Sequence, residues 1–161
     1  GKDKGYDYTR ASNPTREILE NNLAALDGGK YGICFSSGMA AVDSVMKILQ
    51  SGDHVVCSDD VYGGVSRHFN QVLVHYGLEF TYVNSSNPDE VQQAIKSNTK
   101  MLWVETPTNP LLKITDLNEM NRTVQVYYEN EQWALLDKML IKISTWSTMI
   151  SKNLENKEME I

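Results

Sequence analysis

The sequence has few basic residues and few cysteines, and it lacks any long apolar run. Its 15 Lys and Arg residues are outnumbered by 21 Asp and Glu residues among 161 in all. The resulting formal net charge of −6 argues against nucleic acid as a partner. No apolar stretch approaches the roughly 20 residues of a membrane span, and no signal peptide is visible. We therefore expect a globular chain with neither a nucleic-acid nor a membrane partner.

The two cysteines, Cys34 and Cys57, each lie within an apolar stretch. This placement predicts buried, reduced thiols of a cytoplasmic protein rather than a disulfide or a metal site. We expect no bound metal. The sequence begins with Gly1 instead of Met, and its opening residues resemble the interior of a longer chain. We therefore expect a fragment.

Neither common nucleotide-binding fingerprint is present, because the sequence has no G-x-G-x-x-G and no G-K-[ST]. Instead, small residues at 36–39 follow an apolar segment at 31–35, predicted to be a strand, and precede a helix predicted over 40–50. The first amides of a helix have no internal partner, and the helix dipole adds positive charge there. The turn at 36–39 is thus suited to a phosphate. An ordinary helix cap is the alternative interpretation.

Strand-like and helical segments alternate along the chain. Asn13 and Pro14 are typical of a helix start, and Gly28-Gly29 of a helix end. The other predicted elements are strands at 53–58, 78–83 and 100–105 and helices at 65–76 and 89–96, with Phe69, Val72, Leu73 and Tyr76 on one side of the first.

This alternation predicts an α/β domain whose mostly parallel sheet is covered on both faces, a three-layer arrangement. In such folds ligands bind beyond the carboxyl ends of the strands. We expect the polar loops after Phe35, Ser58 and Val104 to converge there.

Several motifs in this order resemble the cystathionine γ-lyase and γ-synthase family of pyridoxal-phosphate enzymes, which has the aspartate aminotransferase-like fold. Together they span about residues 6 to 117. The motifs are Tyr6-Asp7-Tyr8-Thr9-Arg10, Ser12-Asn13-Pro14-Thr15-Arg16, Ala24-Ala25-Leu26-Asp27-Gly28-Gly29, Ser36-Ser37-Gly38-Met39-Ala40-Ala41, Asp59-Asp60-Val61-Tyr62-Gly63-Gly64 and Glu105-Thr106-Pro107-Thr108-Asn109-Pro110.

The resemblance implies how pyridoxal phosphate would be held. Backbone amides of Gly38 and Met39 would bind the cofactor phosphate, Tyr62 would stack on the pyridine ring, and Asn109 would approach the 3-hydroxyl. Tyr8 and Arg10 match a pair that reaches the phosphate of a neighbouring subunit, which implies a dimer or tetramer with a shared active site.

Two further residues match positions on the substrate side of the family's active site, Arg67 and Glu105. The substrate implied is a sulfur-containing amino acid. The cofactor would stabilise the carbanion formed at Cα, and a second deprotonation at Cβ would eliminate a thiol. This chemistry needs a lysine that anchors the cofactor and an acid beside the ring nitrogen.

Those last two residues are the ones that the sequence does not clearly provide. Asp137 ends an apolar run at 133–136 and is the candidate for the ring-nitrogen acid, with a chance acidic residue as the alternative. Lys152 is the candidate for the lysine, although the spacing before it is shorter than in the family. We predict an N-terminal arm at 1–14, a partial cofactor domain at 15–120 and a divergent tail at 121–161.

Three functions remain open at this point. The motifs favour a γ-lyase, which cleaves cystathionine to cysteine, 2-oxobutanoate and ammonia, within trans-sulfuration and cysteine biosynthesis. A γ-synthase-type replacement enzyme shares the same motifs. Because no lysine is recognisable, the chain alone is predicted to be inactive, and a non-catalytic chain that only associates with full-length subunits is the third possibility.

Overall fold

A computed structural model describes residues 5–129 of the chain. These residues fall into two compact units, one at 5–45 and one at 46–129. Among the described residues, no helix combines the length and the apolar character needed to cross a membrane.

The first unit contains helix α1 (Pro14–Leu26) and all but the last residue of helix α2 (Gly38–Met46). Helix α1 starts as predicted, because the Asn13 side chain accepts hydrogen bonds from the Thr15 and Arg16 amides at 3.0 and 3.2 Å. It ends at Leu26, just before the predicted stop at Gly28, whose φ of +67° favours glycine.

The strand predicted at 31–35 is wrong, since only Cys34 forms an isolated bridge. The Cys34 amide donates instead to the Glu20 carboxylate at 2.9 Å. Helix α2 also begins two residues earlier than predicted, because the Ser37 hydroxyl accepts from the Ala40 amide at 3.1 Å and caps it. It ends at Met46 rather than at residue 50.

The second unit is built on three parallel strands, β1 (His54–Ser58), β2 (Glu79–Val83) and β3 (Thr99–Trp103), in the order β2-β1-β3. The predicted strands and their parallel pairing are confirmed. The register pairs Val56 with Thr81 and Leu102, and it shifts on the β3 side between His54 and Val55.

Helices cover both faces of this sheet. They are α3 (Gly63–Gln71), α4 (Pro88–Ala94) and α5 (Leu117–Glu129), the last of which was not predicted. On one face Val56 and Val83 pack with Val91 of α4 and Met120 of α5. On the other face, Phe69 of α3 packs against the rings of Phe80 and Trp103. The fold is therefore the predicted α/β arrangement.

The helix predicted over 65–76 divides into α3 and a 3₁₀ turn at Leu73–Tyr76. Phe69 and Leu73 are buried as predicted, but Val72 and Tyr76 are 40% and 72% exposed. The change of helix type explains this error, because a 3₁₀ turn has three residues per turn and rotates the side chains off the α-helical face.

Candidate functional site

The loops that follow β1 and β3 meet at the carboxyl ends of the strands, as predicted. Backbone and side chains of the β1 loop at 59–62 bind those of the β3 loop at 104–116 through several hydrogen bonds. Four of the predicted site residues, Tyr62, Arg67, Glu105 and Asn109, lie on these loops or on the adjoining α3.

A chain of buried hydroxyl groups lies beneath the two loops. Ser58, the last residue of β1, donates to the Ser85 hydroxyl at 2.9 Å, and Ser85 pairs with Thr115 at 2.8 Å. The Ser58 oxygen also accepts from the Glu105 amide at 3.3 Å. All three hydroxyl residues are buried. The ends of neighbouring strands are thus joined, so the loops above them start from fixed points.

Tyr62 lies immediately before α3, and the residue is 50% exposed. Its backbone is held on both sides, because its amide donates to Glu105 Oε2 at 2.9 Å and its carbonyl accepts from the Ser66 amide at 3.1 Å. An accessible aromatic ring on a fixed backbone fits the predicted stacking against a cofactor ring.

Glu105 is half-buried, and burial raises the pKa of its carboxyl group. The Tyr62 amide opposes that shift by hydrogen bonding, and Asp60 adds to it by charge repulsion. The Trp103 indole nitrogen is buried and has no partner within hydrogen-bonding geometry among the described residues. It nevertheless lies close to the Glu105 carboxylate and lowers the pKa of that group. The structure therefore places Glu105 as a support for Tyr62, a contact that sequence reasoning missed.

Arg67 and Asn109 are both exposed. A Cβ added to Gly63 would lie 3.4 Å from Arg67 Nη1, so the guanidinium folds back over the first turn of α3. Asn109 lies at the tip of the β3 loop, next to the buried Thr108. Both side chains are accessible to a ligand.

Two residues that the sequence did not single out organise this site, Asp60 and Thr108. Their relative exposures are only 8% and 1%, and the Thr108 hydroxyl donates to the Asp60 carboxylate. The neighbouring Asp59 instead forms an exposed ion pair with Lys113 at 2.9 Å. The available signal was an acidic residue directly after a buried strand, but the sequence does not say which of two adjacent aspartates turns inward.

A hollow of about 200 Å³ lies beside the β1 loop, lined by Asp59, Asp60, Val61, Ser66, Asn70 and Tyr82. Asn70 donates to the Tyr82 hydroxyl at 2.8 Å, and burial raises the pKa of that tyrosine to about 12. None of the predicted cofactor or substrate residues lines this hollow.

The other predicted cofactor residues belong to the first unit. Gly38 and Met39 lie in the first turn of α2, where amides precede intrahelical hydrogen bonding. Tyr8 and Arg10 are exposed, and the Arg10 guanidinium lies 5.1 Å from the centre of the Tyr8 ring. Arg16 supports this segment by donating to the Thr9 and Ala11 carbonyls at 3.1 and 3.0 Å.

Convergence of the loop after Phe35 with the other two stays a prediction. Asp137 and Lys152, the candidates for the ring-nitrogen acid and the lysine, lie outside the described residues.

Comparison with known proteins places the chain in a family. The family described as Cys/Met metabolism PLP-dependent enzymes matches residues 1–140. The chain belongs to this family, whose cofactor is pyridoxal phosphate. This confirms the family and the cofactor that the motifs indicated.

Individual relatives are similar over most of this chain. A cystathionine gamma-lyase of Bacillus subtilis (strain 168) is 53% identical over 120 residues, which cover 74% of this chain and 32% of the relative. A probable cystathionine gamma-synthase of Herpetosiphon aurantiacus is 43% identical over 137 residues, covering 85% and 42%. Further relatives are named cystathionine beta-lyase. The chain thus spans about a third to two fifths of the length of its curated relatives.

The fold is shared with solved structures of the same group. The crystal structure of metB from Corynebacterium glutamicum matches with a TM-score of 0.74 and 51% identity, covering 76% of this chain and 32% of that one. The predicted fold class is therefore confirmed.

Proposed function

We propose that the chain is the cofactor-binding part of a cystathionine γ-lyase-type enzyme, which splits the carbon–sulfur bond of cystathionine to give cysteine, 2-oxobutanoate and ammonia. The observation that carries the proposal is the joining of the β1 and β3 loops, which brings Tyr62 and Glu105 into contact and places Asn109 on the same pair of loops. The similarity to a protein named cystathionine gamma-lyase supports the substrate.

Apart from the half-buried Glu105, the predicted site residues within the described part of the chain are exposed or lie at a helix start, and each is proposed to have a role that suits this placement. The exposed Tyr62 ring would stack on the pyridine ring, and the Asn109 amide would bind the 3-hydroxyl. The first-turn amides of Gly38 and Met39 would bind the phosphate. When bound, pyridoxal phosphate supplies an electron sink for the charge that develops at the substrate Cα.

The exposed Arg67 guanidinium would bind the substrate carboxylate, because a guanidinium pairs with a carboxylate through two parallel hydrogen bonds. Glu105 would face the substrate through its other oxygen, Oε1, since Oε2 is bound to the Tyr62 amide. Asp137 is proposed, on the sequence alone, as the acid beside the ring nitrogen.

We propose that Tyr8 and Arg10 serve a neighbouring subunit of a homotetramer. Both side chains are exposed, and stacking holds the guanidinium over the phenol ring, so the pair presents two phosphate donors together. The proposed domains are the arm at 1–14, the partial cofactor domain at 15–120 and the divergent tail at 121–161. A cytoplasmic location is proposed because Cys34 and Cys57 are both unpaired thiols.

Two alternatives are supported by specific observations. A γ-synthase-type activity is supported by the relative of that name. A non-catalytic chain that associates with full-length subunits is supported by the six matching motifs, none of which contains a lysine. Lys152 is the candidate for the anchoring lysine.

The test is a pyridoxal phosphate titration of the full chain, followed by absorbance and ending in borohydride reduction and peptide mapping. Tyr62→Ala is expected to weaken binding about tenfold, because base-like rings stacked on an aromatic side chain contribute about 1–3 kcal/mol. Tyr76→Ala is the matched control, since that ring is also exposed but lies outside the site. Equal affinities for the two variants would contradict the proposed site.

The borohydride reduction distinguishes the two hypotheses, an active lyase and a non-catalytic chain. For a lyase we expect label on a single lysine after reduction, and release of 2-oxobutanoate from cystathionine by a separate, unreduced sample. Binding without any labelled lysine would instead favour the non-catalytic chain.

A further inference from the structure

Two acidic side chains cross between the β1 and β3 loops in opposite directions. Asp60, on the β1 loop, accepts from the Thr108 hydroxyl and from the Leu111 amide at 2.8 Å on the β3 loop. Glu105, on the β3 loop, accepts from the Tyr62 amide at 2.9 Å on the β1 loop. We call these three hydrogen bonds the carboxylate clasp.

The orientation of the central hydroxyl in this clasp is determined by its neighbours. The Thr108 oxygen accepts the Lys113 amide at 2.8 Å, so its single hydrogen is directed to Asp60. The Thr108 amide and the Lys113 carbonyl close the same turn at 2.9 Å. Asn109 lies inside this turn, which fixes the backbone on both sides of it.

Burial makes the contact between Asp60 and Thr108 costly to break. Asp60 and Thr108 are 8% and 1% exposed, so removal of either partner leaves the other without water as a replacement. Hydrogen bonds to a carboxylate are also stronger than those between neutral groups. The ion pair of Asp59 with Lys113 is exposed by comparison and contributes little.

We propose that Asp60 and Glu105 are positioning residues that hold Tyr62 and Asn109 at a fixed separation for the cofactor. This inference rests on the proposed function, because it assumes that Tyr62 and Asn109 bind the same pyridoxal phosphate. Each carboxylate lies on one loop and fixes the ligand-facing residue of the other. Loss of either contact therefore lets the two ligand-facing side chains move apart.

Amide hydrogen exchange of the full chain tests the clasp without cofactor. In Thr108→Val, which keeps the shape and removes the hydroxyl, exchange in peptides covering the β3 loop is expected to rise about tenfold. Thr108→Ser keeps the hydroxyl and is expected to exchange like the wild type. Equal exchange in the valine and serine variants would overturn the clasp.

Pyridoxal phosphate titration of the same variants tests positioning. Thr108→Val and Asp60→Ala are expected to bind the cofactor about tenfold more weakly. Asp60→Asn is expected to recover part of the affinity, because its amide oxygen can still accept both hydrogen bonds. Asp59→Ala, the matched control, is expected to change affinity less than about twofold.

The two measurements fail in different ways. If the wild type does not bind pyridoxal phosphate, the proposed function fails and positioning fails with it, while exchange still reports on the clasp. If Thr108→Val loosens the β3 loop but binds pyridoxal phosphate like Thr108→Ser, the clasp is structural only and the positioning role is overturned.

Discussion

Replacing Phe69 with alanine is expected to weaken the second unit by several kilocalories per mole. Phe69 is a residue of α3, and its side chain is fully buried against the sheet. Its ring stacks on Phe80 with centroids 4.7 Å apart and meets the edge of Trp103 at 5.4 Å. Removing a buried phenyl ring costs about 3–5 kcal/mol. Because each 1.4 kcal/mol changes an equilibrium tenfold, protected amides in β1 should exchange faster by about two to four orders of magnitude.

A milder substitution at Phe69 and a control at an exposed ring give smaller effects for comparison. Phe69→Leu retains much apolar volume but loses both ring contacts, which contribute about 0.5–1.5 kcal/mol each, so exchange should rise about ten- to a hundredfold. Tyr76→Ala removes a ring that is 72% exposed and should leave exchange within about threefold of the wild type.

The assay is mass-spectrometric hydrogen exchange of peptides that cover β1 in the full chain. If Phe69→Ala exchanged no faster than Tyr76→Ala, the aromatic contacts would not be what holds α3 to the sheet.

Two further predictions concern stability. The His54 ring binds the Thr99 and Thr81 hydroxyls at 2.7 and 2.8 Å, and burial lowers its pKa, so the unfolded chain takes up a proton first as pH falls. The melting temperature should therefore fall below about pH 6.5, and a flat profile between pH 5 and 7 would contradict this. Gly77 has a φ of +83° and a Cβ there would lie 2.1 Å from Ser51 Oγ, so Gly77→Ala should cost more than about 1 kcal/mol in urea unfolding. Ser51→Ala in that background should recover only the part due to the clash, and full recovery would contradict a backbone cost.

The sheet could be predicted from the sequence because its signals are local. The apolar runs at 53–58, 78–83 and 100–105 are interrupted by helical segments, and that alternation requires parallel strands covered on both faces. The strand expected at 31–35 was wrong because the Cys34 amide binds a side chain 14 residues away, a contact that no local pattern contains.

Helix α5 was missed, although its start carries a recognisable signal. Asp116 accepts from the Asn118 and Glu119 amides at 2.9 and 3.1 Å and so caps the helix. An acidic residue followed three positions later by Glu is typical of a helix start.

Resemblance to the family predicts Tyr62, Glu105 and Asn109 as site residues, and the strand order explains why their loops are adjacent. The contacts among these loops could not be predicted. The roles of Asp60 and Thr108 depend on side chains 48 residues apart meeting in a buried turn. Sequence reasoning assigned Glu105 to the substrate, whereas its hydrogen bond to the Tyr62 amide supports a positioning role.

The buried polar groups at the two ends of the sheet have different hydrogen-bond partners. At the amino end, His54 is fully buried and satisfied by two threonine hydroxyls, so that end carries no accessible polar group on β1. At the carboxyl end, the buried Ser58 and Asp60 bind other parts of the protein, while Tyr62 on the same loop stays exposed. The buried polar groups thus fix the loop backbone and leave the Tyr62 ring free of structural bonding. A rigid loop with an exposed ring is what the proposed stacking of Tyr62 on a cofactor ring requires.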